Sequence, residues 1–214
     1  MKTKSLDLDK NIYQNKLLNI KLDEKLQIIK DEALKNDVPI IQDEGLAFLI
    51  FICEMIKPKR ILEIGCAVGF SSAVMATFSD AYIDTMEIDP KMVQIASLNH
   101  QELNLDKRIN IIYGDALNGF DNVKENHYDL IFIDAAKGKY IDYFNLYKPL
   151  LNQGGIIITD NLYFHDLLFE ETDSKNLYGL ISKIDKYNNF LLEQEDFSTH
   201  IFKIGDGISV SVKK

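Results

Sequence analysis

The stretch Arg60–Ser72, RILEIGCAVGFSS, most constrains what this chain can become. An apolar run, Ile61-Leu62 with Ile64, leads into a turn holding Gly65 and Gly69, and a helix start follows at Phe70-Ser71-Ser72. Strand, glycine turn and helix in that order make the ligand-facing corner of an α/β sheet. The spacing is G-x-x-x-G rather than the G-x-G-x-x-G of a dinucleotide fingerprint, and Glu63 stands inside the end of the strand. Glycines at such a turn let the backbone approach a ligand closely, because no Cβ intervenes. A tight turn that binds nothing is the alternative, and the rest of the chain must decide.

Before this corner, Leu17, Leu18, Ile20, Leu22, Leu26, Ile28, Ile29, Ala33 and Leu34 recur at mixed helical spacing. They predict one or two helices over 5–36. Val38-Pro39-Ile40-Ile41 breaks the pattern, since proline cannot continue a helix and restricts the residue before it. A second helix runs over 43–56. After the corner the alternation is regular: strands over 61–64, 82–87, 109–113, 129–134 and 155–160, with helices over 70–79, 90–104, 140–151 and 176–194. The last two apolar stretches, STHIFKI and ISVSVKK, are joined by Gly205-Asp206-Gly207 and read as an antiparallel hairpin. This pattern predicts an α/β fold: a mostly parallel seven-stranded sheet with an antiparallel C-terminal hairpin and N-terminal cover helices. No repeat or linker divides the chain, so 1–214 reads as one domain, with cover helices over 1–57 and a core over 58–214.

The chain's 214 residues suffice for one full α/β core. No apolar run is long enough to span a membrane, and the N-terminus lacks a signal-peptide core, which predicts a cytoplasmic protein. Cys53 and Cys66 make no metal pattern and read as packing residues. The net charge is −9, which argues mildly against a nucleic-acid partner. Residues 1–35 nevertheless carry eight lysines against six acids. A solvated helix surface accounts for them without a partner.

In such sheets ligands bind beyond the carboxyl ends of the strands. Strand two ends at Glu87, an acid able to accept hydrogen bonds from both ribose hydroxyls of a nucleoside. Gly114-Asp115-Ala116 follows strand three, where an acid can hold an adenine amino group. Strand four ends in Asp134-Ala135-Ala136-Lys137 and strand five in Thr159-Asp160-Asn161. Helix capping explains any one of these acids. It explains five successive strand ends poorly. Asp134, Asp160 and Asn161 offer hard oxygens with no Cys or His, a set suited to Mg²⁺, Mn²⁺ or Ca²⁺. Three protein oxygens leave room for two vicinal substrate oxygens and a water. Lys137 can then take a proton or steady an oxyanion. A surface lysine is the alternative, but a cation is disfavoured at a helix start.

Together Ile61–Ser71, Glu87, 114–116, 132–140 and 155–161 resemble the divalent-metal-dependent O-methyltransferases of the catechol and caffeoyl-CoA type, with their Rossmann-like class I fold. The likeness runs from Val38 to Lys213. Within that family, Val38–Ile41, Asp134–Tyr140 and 204–213 are most similar to the bacterial tRNA 5-hydroxyuridine methyltransferases. The resemblance implies S-adenosylmethionine as cofactor, held by Glu63, Gly65, Ala67, Gly69, Ser71, Glu87, Asp115, Ala116 and Asp134. It implies a metal on Asp134, Asp160 and Asn161, catalysis by Lys137 and Asp134, and a homodimer. The implied substrate is the wobble 5-hydroxyuridine of a tRNA anticodon loop, with Lys10, Lys16, Lys21 and Lys25 attracting phosphates. A small catechol or phenol is the alternative. Cys66 and Phe70 depart from the family's usual threonine and tyrosine, and Leu162–Asp166 departs beside the substrate. His165 reads as a surface residue.

Overall fold

The computed structural model describes residues 18–163 and 174–214. Lys10, Lys16, His165 and the first part of the N-terminal helical stretch lie outside them. Helices α1 (Glu24–Lys35) and α2 (Asp43–Ile56) precede the sheet. There follow β1 (Arg60–Ile64), α3 (Phe70–Thr77), β2 (Tyr82–Glu87), α4 (Pro90–Glu102), β3 (Ile109–Tyr113) and β4 (Tyr128–Ile133). Then come α5 (Tyr140–Tyr147), β5 (Leu151–Thr159), α6 (Lys175–Leu192), β6 (Phe197–Phe202) and β7 (Ile208–Lys213).

The seven strands stand in the order β3-β2-β1-β4-β5-β7-β6. The first five are parallel, and β7 runs antiparallel to both β5 and β6. The chain leaves β1 toward one edge and returns to β4 on its other side, so the order reverses between β1 and β4. That reversal opens a crevice at the carboxyl ends of these two strands.

β1 is buried from Ile61 onward, as a strand covered on both faces must be. One apolar layer joins Leu26, Leu46, Leu49, Val74 and Met75 to Leu130 and Ile158. The opposite layer packs Leu62, Ile131 and Ile157 beneath Tyr140, Phe144, Tyr187 and Leu191. Cys53 and Cys66 are buried and unbridged. Among the described residues no helix is long and apolar enough to cross a membrane.

Most boundaries fall within two residues of the sequence expectation, and two depart from it by four. Helix α5 stops at Tyr147 rather than 151, because Pro149 has no N–H to continue the ladder; a 3₁₀ turn, Lys148–Leu150, intervenes. Strand β5 therefore begins at Leu151, four residues before 155, with an irregularity opposite Tyr128/Leu130. Gly154, at φ +75°, falls within this early part.

Candidate active site

The crevice contains a cavity of about 740 Å³. Its wall includes Gly65, Ala67, Ser71, Glu87, Asp115, Ala116, Asp134, Lys137, Asp160 and Asn161. Residues from five separate strand ends thus meet in one space, a result that capping alone does not require.

The glycine turn is built by close approach. Gly65 sits at φ +100°, and a Cβ there would come within 2.0 Å of the Asp134 carbonyl oxygen. Only glycine lets β1 and β4 deliver the two loops side by side. The next residues are tethered from β2: the Ala67 N–H donates to Glu87 Oε2 at 2.7 Å. Glu87 Oε1 accepts from the N–H groups of Ile88 and Asp89 at 2.8 Å each. The Glu87 carboxylate therefore fixes both the β2 turn and the glycine loop at the cavity wall. Asp115 accepts from the Leu117 N–H at 2.9 Å and so caps a short 3₁₀ turn. Capping and cavity lining coincide in this residue.

Glu63 and Gly69 do not line the cavity. Glu63 lies wholly buried behind it, accepting from Ser71 Oγ at 2.6 Å and from Thr85 Oγ1 at 2.5 Å. Burial pushes its carboxyl up to about 7, against the lowering pull of those two hydroxyls. Its contact with the cavity runs through Ser71. Gly69, at φ +80°, starts α3 and packs against α4 instead.

At the other end of the cavity, Asp134 and Asp160 follow neighbouring strands β4 and β5. Asn161 Nδ2 donates to Asp134 Oδ1 at 2.8 Å, and the Asn161 N–H donates to Asp160 Oδ1 at 2.7 Å. Asn161 holds a left-handed backbone, φ +66°, which costs energy outside glycine and turns its amide inward. Burial, followed by the nearby Asp134 charge, pushes Asp160 up to about 7. Burial also raises Asp134, opposed by the Lys137 ammonium and the Asn161 amide. Two crowded carboxylates, an amide and an ammonium therefore share one end of the cavity. Two carboxylates and an amide oxygen are the donors a hard divalent cation takes, and a cation would relieve the repulsion between the acids. Among the described residues there is no cluster of three or more His, Cys, Asp or Glu arranged for a metal. A site here would depend on the Asn161 oxygen.

An O-methyltransferase family profile matches residues 9–214. The chain belongs to that family. This O-methyltransferase uses S-adenosylmethionine, as the family match and the cofactor-bound relatives show. Its structure is similar to that of a candidate caffeoyl-CoA O-methyltransferase from Staphylococcus aureus, 33% identical over 95% of this chain and 97% of the other, with a TM-score of 0.87. The S-adenosylhomocysteine-bound methyltransferase PaMTH1 of Podospora anserina is 25% identical, with 98% of both chains covered and a TM-score of 0.85. The catechol O-methyltransferase of Mycobacterium tuberculosis is 30% identical over 59% of this chain and 58% of its own.

The sequence reasoning missed several parts of this methyltransferase's site. Thr85 holds Glu63, and Tyr143 lines the cavity. Val38–Ile41, read as a helix break and as part of the family likeness but not as site residues, forms part of the wall together with Gln42. Tyr140 donates from its hydroxyl to the Asp160 carbonyl at 3.0 Å. Asp206, in the hairpin turn, adds a buried negative charge that raises both Asp134 and Asp160. An acid between two glycines looks like ordinary turn chemistry, and no local signal separates the two cases.

Proposed function

We propose that this enzyme methylates an acidic hydroxyl standing beside a second oxygen, with a divalent cation on Asp134, Asp160 and Asn161. The meeting of two mutually repelling carboxylates, an amide and Lys137 at one end of the cofactor cavity carries this reading. When bound, the cation would supply a Lewis acid that acidifies the hydroxyl and orients it. Lys137, having first released its own proton to solvent, takes the hydroxyl proton and, as an ammonium again, steadies the oxyanion. The acceptor oxygen then displaces the sulfonium methyl group: the O–C bond forms, the S–C bond breaks, and a methyl ether and S-adenosylhomocysteine leave. Glu87 accepts from the ribose hydroxyls and Asp115 from the adenine amino group. Gly65 and Ala67 offer close backbone approach, while Ser71, held by Glu63, faces the amino-acid end.

The acceptor we favour is the wobble 5-hydroxyuridine of tRNA, whose O5 and O4 are vicinal. Its support is the likeness at Val38–Ile41 and Asp134–Tyr140, segments whose residues meet in the same cavity. A small catechol or phenol is the second reading, favoured by the fate of the basic N-terminus. Lys25 donates to the Glu102 carbonyl at the end of α4, and Lys30 pairs with Asp43. Those two ammonium groups already serve the fold. Mass spectrometry of tRNA nucleosides after incubation with S-adenosylmethionine and Mg²⁺ separates the two. Conversion of 5-hydroxyuridine to 5-methoxyuridine supports the tRNA reading. Methylation of a catechol with the tRNA untouched would transfer the assignment to a small phenol.

A further inference from the structure

The cofactor loop is held from behind by two consecutive side chains of α4. Asn99 Nδ2 donates to the Val68 carbonyl at 2.8 Å. His100 Nε2 lies 3.0 Å from the Gly69 carbonyl and 3.1 Å from Ser72 Oγ. Ser72 Oγ itself donates to that carbonyl at 3.1 Å. Successive peptides of the loop are thus gripped by successive residues of one helix.

The imidazole can serve in one form only. With the proton on Nε2, His100 donates to the Gly69 carbonyl, and its unpartnered Nδ1 is merely an idle acceptor. With the proton on Nδ1, Nε2 can accept only from Ser72 Oγ, its lone pair also faces the Gly69 carbonyl oxygen, and a buried N–H is left with no acceptor, which costs more. Burial, at 1% exposure, also holds the ring below its usual pKa and so neutral.

The grip falls on the two loop residues that face away from the cavity. Residues 65–67 and 70–71 line it, whereas Val68 and Gly69 do not. Ala67, between the Glu87 tether and the α4 grip, sits at φ +47°. A non-glycine residue persists in that conformation only when its surroundings over-determine it. Gly69 is locked in turn, since a Cβ there would come within 2.5 Å of His100 Nε2.

We propose that Asn99 and His100 are positioning residues for S-adenosylmethionine: by fixing the Val68 and Gly69 carbonyls they hold Ala67 and Ser71 in the bound arrangement before the cofactor arrives. The proposal rests on cofactor use alone and is independent of the metal and of the acceptor. A loop ordered in advance spares the cofactor the cost of ordering it. Loss of the grip therefore weakens cofactor binding while leaving turnover at saturating cofactor unchanged.

Calorimetric titration of S-adenosylhomocysteine into His100→Leu, His100→Gln and Asn99→Asp tests this, alongside apo-protein melting and the KM and kcat for S-adenosylmethionine. Asn99→Asp keeps the shape but turns a donor into an acceptor. His100→Gln keeps an amide donor able to reach the Gly69 carbonyl. Loss of one such bond is expected to weaken S-adenosylhomocysteine about 10-fold in His100→Leu and in Asn99→Asp. His100→Gln is expected to recover to within about threefold of wild type, on the same reasoning. KM rises in step and kcat holds. Should His100→Leu fail to fold, Asn99→Asp and His100→Gln still decide the matter, because Asn99 is only half-buried. Wild-type affinity in Asn99→Asp, or a fall in kcat without a rise in KM, overturns the proposal.

Discussion

The two ends of the parallel sheet treat the same residue type in opposite ways. At the amino ends, Asp129 accepts from the Lys59 and Arg60 N–H groups at 2.7 and 3.2 Å and from Asn152 Nδ2 at 2.8 Å. Burial pushes that carboxyl up, but the bonds from Asn152, Lys59 and Arg60 outweigh it and leave it below the ordinary range. Asp84 nearby accepts from Arg60, Asn110, Asn126 and Tyr128. At the carboxyl ends, Asp134, Asp160 and Glu63 are all raised. An acid that the fold satisfies is structural. Asp134 and Asp160, crowded at the cavity wall, are the candidates for holding something that arrives later.

The largest effects should appear where the acids are crowded. Asp160→Asn removes a charge and a proposed cation ligand together, so turnover should fall about 10³-fold or more. The melting temperature at pH 8 should hold or rise, because a buried repulsion is relieved. Turnover close to wild type, or a lowered melting temperature, would place Asp160 with the structural acids. Lys137→Ala should lower kcat by roughly 10² to 10⁴-fold while S-adenosylhomocysteine binds as before. Unchanged kcat would remove Lys137 from the chemistry.

Glu63 gives a pH-dependent version of the contrast. Its carboxyl ionises from an ordinary value of 4.5 in the unfolded chain and from about 7 in the fold. Between those values the folded protein keeps a proton that the unfolded chain releases, so stability falls as pH rises through the window. Above about 7 the full penalty, on the order of 3 kcal/mol, is present. Glu63→Gln should lose this slope, becoming relatively more stable at pH 8 than at pH 4.5 in urea titrations. Parallel curves for the two proteins would contradict the assignment. The smallest effect belongs to the satisfied end. Asp129→Ala should cost about 1 to 3 kcal/mol of stability with activity per folded molecule intact. A loss of activity there would erase the contrast.

Much of this was legible locally. β2 and β3 match the sequence reading to the residue, because apolar and β-branched residues recur through each and an acid or a glycine turn marks its end. Glu87, Asp115, Asp134 and Asp160 could be found because each is a polar residue at or just past an apolar strand. The residues that escaped depend on pairing between distant segments. Thr85 meets Glu63 only through the parallel register of β1 with β2. Asp206 reaches the cavity acids because β7 pairs with β5 and returns its turn to the carboxyl ends. His100 acts through a loop thirty-one positions earlier. Pro149, by contrast, was a local signal whose consequence for α5 was read too late in the chain.

The central claim is that the crowded acids hold a divalent cation on which transfer depends. Methyl transfer from radiolabelled S-adenosylmethionine, to a catechol and to tRNA carrying 5-hydroxyuridine, should be measured in EDTA and again after Mg²⁺ is restored. Transfer to one acceptor that vanishes in EDTA and returns with Mg²⁺, but does not return in Asp160→Asn, is the predicted result. Undiminished transfer in EDTA would contradict it.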